Sequence, residues 1–344
     1  MSDMFEIAYA AATKRLCFFT GTGFSKAVTD NKAPSWQGLL EVLCTQLPNG
    51  DELKQSLFPE HKPIPLTLEE TAQVIAIKLV EVDKNIHEEV ANIIAGVKLA
   101  EDNEDVSSFF SEQKFRVITT NYDKLAEELA AKNLCQSLTP GLPIPRSSAH
   151  VKVFHVHGSI DSPDNMVVTS EDYFKFINGD SYFSRKLSTV LHENTVVILG
   201  YSLGDANLKA IISDYKGFSK NHVISSNLFF VSRSSVDQNI KDYYYHCYGI
   251  RVLDNLDIQD FFRLLNEKLP KVRRIAEKSI ESTLRVVHEG RRFKETFITL
   301  EDSFYRIISA LLSIQPLKGV VWSLKGFQQW LENFFRHINL LAFP

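Results

Sequence analysis

Residues 15–25 read RLCFFTGTGFS and join an apolar run to a glycine-rich turn. The run is uniformly apolar, as expected of a buried parallel strand rather than a half-exposed one. It stops at Gly21, and glycines at 21 and 23 permit a sharp turn into a following helix. A buried strand with such a turn at its end is typical of α/β folds that hold a phosphate group there.

Further apolar runs have the same character and predict the remaining strands of one sheet. They cover residues 115–119, 151–156, 195–199 and 227–231, with 249–253 as a sixth strand. Most of the intervening segments, such as 121–132 and 202–215, are long enough for a crossover helix. The sequence therefore predicts an α/β fold with a Rossmann-like, doubly wound and mainly parallel sheet.

Two stretches depart from this alternation and predict helices only. We expect one large domain that contains the sheet over 1–256, with a helical insertion at about 36–110, and a helical region over 257–344. The aromatic stripe from Trp322 to Phe343 favours a role in oligomer or partner contacts. An internally packed helical cap is the alternative.

Composition excludes several classes of protein. The 344 residues are 44% apolar and 23% charged, which is the balance of an ordinary globular protein. The formal net charge of −4 argues against a surface that binds nucleic acid. The basic cluster Lys271, Arg273 and Arg274, with Arg291 and Arg292, is interpreted as a solvated helix face.

The cysteines and the N-terminus indicate a reducing compartment. Four cysteines lie far apart without a C-x-x-C pair, so we expect neither disulfides nor zinc. The first residues are acidic where a secretory signal would be basic, and no apolar run has the length of a membrane span. We therefore expect a cytoplasmic protein.

The glycine turn carries the first candidate binding residues. Backbone amides of Gly21, Thr22, Gly23 and Phe24, with the hydroxyls of Thr22 and Ser25, are placed to meet a pyrophosphate. The acidic residue that a dehydrogenase needs for its ribose, about 20 residues further on, does not follow. The turn thus predicts a nucleotide without hydride transfer, although a purely structural turn would look alike.

Polar residues also follow the strands at 115–119 and 151–156. Thr120, Asn121 and Asp123 come after the first, and Asn121 can orient a hydroxyl or a water without taking its proton. The alternative is that Asn121 or Asp123 only caps the next helix. After the other strand, Gly158 places His157 at the strand tip, where an imidazole can act as a base. His155 is interpreted as a hydrogen-bonded core residue.

The strand at 195–199 ends in the segment GYSLGD at 200–205. Gly200, Ser202 and Asp205 are candidate binding residues, with helix capping by Ser202 or Asp205 as the alternative. Carboxyl ends of parallel strands share one edge of the sheet, so we expect all these polar strand ends to meet in one crevice.

Taken together, the segments GTGFS (21–25), TTNYD (119–123), HGS (157–159) and GYSLGD (200–205) resemble the nucleotide-binding elements of the sirtuin superfamily. The resemblance implies that the glycine turn holds the phosphates of NAD. It implies that Asn121 positions the nicotinamide ribose and the attacking water, and that His157 is the base on the ribose. The segment at 200–205 would lie near the adenosine half.

The chain lacks the two C-x-x-C pairs that hold the zinc module of protein deacylases in that superfamily. It is more similar to the sirtuin-like branch of bacterial antiphage systems, and the segments PSW (34–36) and TSEDYF (169–174) share this likeness. That branch implies hydrolysis of NAD to nicotinamide and ADP-ribose, with no zinc, by a toxic effector of abortive infection. A sensing module that binds NAD or ADP-ribose, a deacylase and an ADP-ribosyltransferase are the alternatives.

The same resemblance implies restraint of the enzyme until infection. We therefore expect a homo-oligomer and a protein partner, such as a ring-forming DNA-translocase ATPase of the HerA type or another phage-sensing protein. Direct contact with nucleic acid or with a membrane is not expected.

Overall fold

The computed structural model describes residues 2–60, 63–131, 134–144, 147–178, 189–191, 193–202 and 227–289. The chain divides into two compact units. One is Lys14–Lys268, and the other has 2–13 and 269–289 as its described parts. Asp205 and the aromatic stripe at 322–343 lie outside the described residues, so their assignments stay predictions. No helix in the described ranges has the length and apolarity needed to cross a membrane.

The described residues form one sheet of seven strands, all paired in parallel. The strand order is β3-β4-β2-β1-β5-β6-β7. The strands are β1 (Leu16–Thr20), β2 (Phe115–Thr119), β3 (Cys135–Leu138), β4 (Val151–His155), β5 (Thr195–Leu199), β6 (Leu228–Val231) and β7 (Ile250–Leu253). The predicted α/β, Rossmann-like parallel sheet is confirmed.

Helices connect the strands and also precede and follow them along the chain. They are α1 (Asp3–Ala12), α2 (Thr22–Val28), α3 (Trp36–Cys44), α4 (Gly50–Leu57), α5 (Leu68–Val80), α6 (Ile86–Ala95), α7 (Glu104–Glu112), α8 (Leu125–Leu129), α9 (Ser170–Asn178), α10 (Gln238–Tyr248) and α11 (Ile258–Glu289). Helices α3 to α7 lie between β1 and β2, where the sequence predicts an insertion. The crossover helix predicted over 121–132 is only α8. Its first N–H, on Leu125, donates to the side chain of Asp123, and Ala131 leaves the helical region at φ 60°.

Successive side chains of β1 point to opposite faces of the sheet and pack into the core on each face. Phe18 points to an aromatic cluster and lies 5.2 Å from Phe262 and 5.6 Å from Phe109, between ring centroids. Phe19 belongs to the opposite cluster with Ile118 and Ile198. A strand whose successive side chains are all buried must be covered on both faces, as a doubly wound sheet requires.

The insertion has an apolar core of its own. Leu40, Leu43, Ile75 and Val90 are fully buried in it, and α5 begins with a capping box between Thr67 and Glu70. The same cluster includes Tyr122, which follows β2, and Met166 and Val168 before α9. The insertion therefore packs directly on loops at the carboxyl edge of the sheet.

The order of the strands on either side of β1 shows where the sheet opens a crevice. From β1 the sheet extends through β2, β4 and β3 in one direction, and through β5, β6 and β7 in the other. Such a reversal opens a crevice beyond the carboxyl ends of the central strands, where ligands of open α/β sheets bind. In this chain the glycine turn after β1 and the segment after β5 meet there.

Candidate functional site

The turn after β1 lies directly against the end of β5. The N–H of Gly21 donates to the carbonyl of Leu199 at 3.0 Å, and that of Gly23 donates to Gly200 at 2.9 Å. Gly200 has φ +74°, and a Cβ there would lie 2.0 Å from the nitrogen of Phe24. The absence of side chains at these glycines thus allows the backbones after β1 and β5 to approach closely. The N–H groups of Gly21 and Gly23 form the hydrogen bonds of this junction.

Tyr201 covers the glycine turn. Its ring stacks on Phe19 at 5.2 Å between centroids, and a Cβ on Gly21 would lie 2.7 Å from it. Its hydroxyl is 2.5 Å from Oγ1 of Thr120, after β2. One aromatic side chain therefore links the ends of β1, β2 and β5.

A cavity of about 150 Å³ opens at this edge, within the unit Lys14–Lys268. Its lining has a polar part from the strand ends and a largely apolar part from the insertion. The polar part is Thr22, Ser25, Thr120, Asn121, Asp123 and His157. The part from the insertion and the loop before it is Ala33, Pro34, Ser35, Trp36, Leu39, Glu69, Ile94 and Val97, and the lining is completed by Tyr122, Val167, Val168, Tyr173 and Tyr201.

Asn121 is held in a chain of short hydrogen bonds. Its side-chain amide, Nδ2, donates to Oγ of Ser25 at 2.7 Å, and Ser25 donates to Oδ2 of Asp123 at 2.6 Å. The other oxygen of Asp123 accepts from the N–H of Leu125 at 3.2 Å. Asp123 therefore accepts from the first N–H of α8 and also binds Ser25, so it contacts both the helix start and the site, between which the sequence cannot choose.

The direction of these bonds fixes the orientation of the Asn121 amide. Ser25 has one hydroxyl proton and gives it to the Asp123 carboxylate, so its oxygen accepts from Asn121. The NH₂ group is thus engaged by Ser25, and Oδ1 is left as the acceptor that a ligand can meet. Burial raises the pKa of Asp123, and the hydrogen bonds from Ser25 and Leu125 oppose that effect.

His157 lies at the same cavity in an apolar setting. Its side chain is 9% exposed, and its ring packs edge-on against Tyr173 and Phe176 of α9. Nε2 is buried and has no hydrogen-bond partner among the described residues. Gly158 has φ +84°, and a Cβ there would strike Asn165. An unpartnered polar atom of this kind is costly unless a ligand uses it.

Burial lowers the pKa of His157 from 6.5 to about 4, so the imidazole is neutral at cellular pH. The unfolded chain takes up this proton below about pH 6.5 and the folded one does not. Folding stability is therefore lost as the pH falls from 6.5 toward 4. Between about pH 7.5 and about pH 5, wild type should lose about 2 kcal/mol more than His157→Gln in urea unfolding. Equal losses would contradict this assignment.

His155 and His157 differ in their surroundings although they are two residues apart. His155 is fully buried, with Nδ1 3.1 Å from the carbonyl oxygen of Asn121 and Nε2 2.7 Å from Oε1 of Glu127. This is the hydrogen-bonded core position that the sequence analysis expects for it. The ring does not line the cavity.

Among the described residues, the structure brings six of the predicted site residues together at the cavity and places the other five elsewhere. Gly21, Gly23 and Gly200 form the backbone junction behind it. The side chain of Phe24 is buried against Phe110, and Ser202 is exposed beyond Tyr201. The predicted roles of all these residues in binding NAD stay predictions.

Several lining residues were not singled out from the sequence. Trp36, Tyr173 and Tyr201 lie inside segments that carry the resemblance, which is the signal that was available. Aromatic residues lie in the apolar core more often than they contact a ligand, so the residue type alone does not identify them as site residues. No cluster of three or more metal-ligating side chains occurs in the part of the chain that the structure describes.

Comparison with known proteins agrees with this geometry. The model of a family described as SIR2-like domain matches residues 116–253. The chain is similar to Defense-associated sirtuin 2 of Bacillus subtilis, with 22% identity over 92% of this chain and 30% of that protein. It is also similar to the NAD(+) hydrolase ThsA of Enterococcus faecium, with 34% identity over 28% of this chain and 22% of that protein.

The chain thus spans less than a third of the length of these curated relatives. The matched family segment includes Asn121, His157 and Gly200. The resemblance to the sirtuin superfamily, and to its defence-associated members, is confirmed.

Proposed function

We propose that this chain, which contains a SIR2-like domain, hydrolyses NAD to nicotinamide and ADP-ribose. One observation carries the proposal: an oriented amide oxygen of Asn121 and a buried, neutral His157 line one cavity at the switch point of the sheet. NAD is the substrate, and its sugar and phosphates suit the polar strand ends. The name of the relative ThsA, an NAD(+) hydrolase, supports the same activity.

The reaction breaks the bond between the ribose C1′ and the pyridine nitrogen. The electron pair of that bond goes to the nitrogen, so nicotinamide leaves as a neutral molecule and positive charge develops on the ribose. Water then forms the new bond to C1′ and releases one proton. The protein has to hold the sugar, direct one water and exclude the rest.

Asn121 and His157 fit these tasks. Oδ1 of Asn121 accepts a hydrogen bond from the water or from a ribose hydroxyl, and Ser25 keeps that oxygen turned to the cavity. The neutral ring of His157 has one acceptor nitrogen, which accepts a hydrogen bond from a ribose hydroxyl or takes the proton as water adds. Tyr173 and Phe176 shield the ring from bulk water.

The activity is tested by incubating the purified chain with NAD, with and without an acylated peptide, and identifying the products by chromatography. Hydrolysis yields nicotinamide and ADP-ribose in equal amounts whether or not the peptide is present. Peptide-dependent release of nicotinamide would indicate a deacylase, and ADP-ribose attached to protein would indicate a transferase. Bound but intact NAD would indicate a sensing module.

Asp123→Asn should reverse the hydrogen bond to Ser25. Because Leu125 donates to the side chain at 123, the amide must turn its oxygen to Leu125 and its NH₂ to Ser25. Ser25 then donates to Asn121, whose NH₂ turns to the cavity. We expect kcat for NAD hydrolysis to fall by roughly 10²-fold with a small change in KM.

The matched control is Asp254→Asn, which removes the negative charge that pairs with Lys241. It changes the same chemical group and should leave both kinetic constants unchanged. A normal kcat in Asp123→Asn would show that the orientation of the Asn121 amide is not set through Ser25.

The biological role is part of the same proposal. The name Defense-associated sirtuin 2 and the NAD hydrolase ThsA support a toxic effector that depletes NAD in defence against phage. An oligomer and a protein partner of the translocase type stay predictions. Mass measurement of the chain alone and after co-expression with a candidate partner would test them.

A further inference from the structure

A charged cluster lies behind Asn121, outside the cavity. It consists of His155 on β4, Glu127 on α8, and Lys124, which precedes α8. Lys124 is 2.7 Å from the same Glu127 oxygen that meets His155, and also binds Asp161 and Ser137 at 2.6 Å. Nothing in the proposed chemistry uses this cluster.

Both ring nitrogens of His155 face acceptors. The carbonyl oxygen of Asn121 can only accept, and so can an ionised carboxylate. Lys124, 2.7 Å from the same oxygen of Glu127, lowers the pKa of that carboxyl and favours its ionised form. Two acceptors require two donors, and an imidazole offers two only when it is protonated.

We propose that His155 is a buried imidazolium that positions the main chain of Asn121, with Glu127 as its fixed counter-ion. This inference rests on the proposed function of Asn121. His155 is a positioning residue, because it touches the backbone of Asn121 and does not line the cavity.

The main-chain contact completes the hold on Asn121. Its N–H donates to Oγ1 of Thr119 at 3.0 Å, its side chain donates to Ser25, and its carbonyl accepts from His155. A hydrogen bond from a charged donor is stronger than a neutral one. The side chain of Asn121 therefore extends toward the substrate from a backbone fixed at both polar atoms.

Other charges around His155 are consistent with this state. Glu127 contacts its ring and Asp123 adds a second negative charge, whereas Lys124 offsets part of the charge on Glu127. A buried ion pair costs desolvation, and an apolar pair of similar volume is often as stable. Stability alone therefore does not account for the ion pair of His155 and Glu127, whereas the positioning of Asn121 does.

The first test needs no activity. Nitrogen-15 NMR of histidine rings near neutral pH should show both nitrogens of His155 protonated in wild type, with assignment by comparison to His155→Leu. In Glu127→Gln the neutral amide can donate to Nε2, so one nitrogen should lose its proton. A single protonated nitrogen in wild type would overturn the inference.

The second test separates positioning from stability. His155→Leu should lower kcat by roughly 10²-fold with KM within about threefold of wild type. The double variant His155→Leu/Glu127→Leu replaces the ion pair by apolar side chains, and should unfold at a denaturant concentration close to that of wild type. Its kcat should stay as low as that of the single variant.

A double variant with normal stability and normal kcat would show that the pair is structural only, and would overturn the inference. Absence of hydrolysis by wild type would instead refute the proposed function, and the NMR result would still decide the charge of His155. The two failures are therefore distinguishable.

Discussion

Asn121→Ala is expected to lower kcat for NAD hydrolysis by roughly 10²–10³-fold while the protein stays folded. The substitution removes the acceptor that directs water or the ribose, and leaves the hydroxyl of Ser25 bound to Asp123. The contact is made chiefly in the transition state, so kcat and kcat/KM should fall together. Nicotinamide release from saturating NAD measures this effect, and circular dichroism checks the fold.

Asn239→Ala is the matched control. Asn239 is exposed on α10 and its side chain bonds only to Asp237 among the contacts described for it. The same loss of an amide should leave hydrolysis unchanged. If Asn121→Ala retained the kcat of wild type, Asn121 would not direct the reaction.

Gly200→Ala is expected to destabilise the protein by roughly 2–5 kcal/mol and to abolish binding of NAD. Gly200 has φ +74°, where a Cβ is strained, and that Cβ would lie 2.0 Å from the nitrogen of Phe24. The ends of β1 and β5 would have to separate, which moves Tyr201 away from Thr120. Urea unfolding and calorimetric titration with NAD measure the two effects.

Gly96→Ala serves as its control. Gly96 ends α6 with φ −79°, and a Cβ there would meet the carbonyl oxygen of Ile93 at 3.5 Å, an ordinary contact. We expect a change of less than about 1 kcal/mol there. Equal losses of stability in the two variants would mean that the close approach of the backbones at Gly200 and Phe24 does not stabilise the pairing of β1 with β5.

The sheet was predictable because its central strands are buried on both faces. The runs that contain Phe18, Val117 and Val197 are mainly apolar, and they form β1, β2 and β5. The edge strand β3 was not predicted, because Cys135–Leu138 has only four residues and its centre, Gln136 and Ser137, is polar. An edge strand pairs on one side only, and nothing local distinguishes this one from a loop.

The sequence predicted which strand ends form the candidate site, but it did not predict the hydrogen bonds between their side chains. The approach of Ser25 to Asn121 joins residues 96 positions apart, and that to Asp123 joins residues 98 apart. These side-chain contacts depend on the order of the strands in the sheet, which cannot be read from the local sequence. The positive φ of Gly200 and the contact of Tyr201 with Thr120 depend on the same order.

The mixed wall of the cavity has a consequence for the design of inhibitors. The proposed function assigns the polar strand ends to NAD, and compounds that mimic the dinucleotide there would also suit other NAD-binding sheets. The part of the lining that comes from the insertion includes Trp36, Leu39, Ile94 and Val97. Selectivity for this protein would come from an apolar substituent shaped to those four side chains.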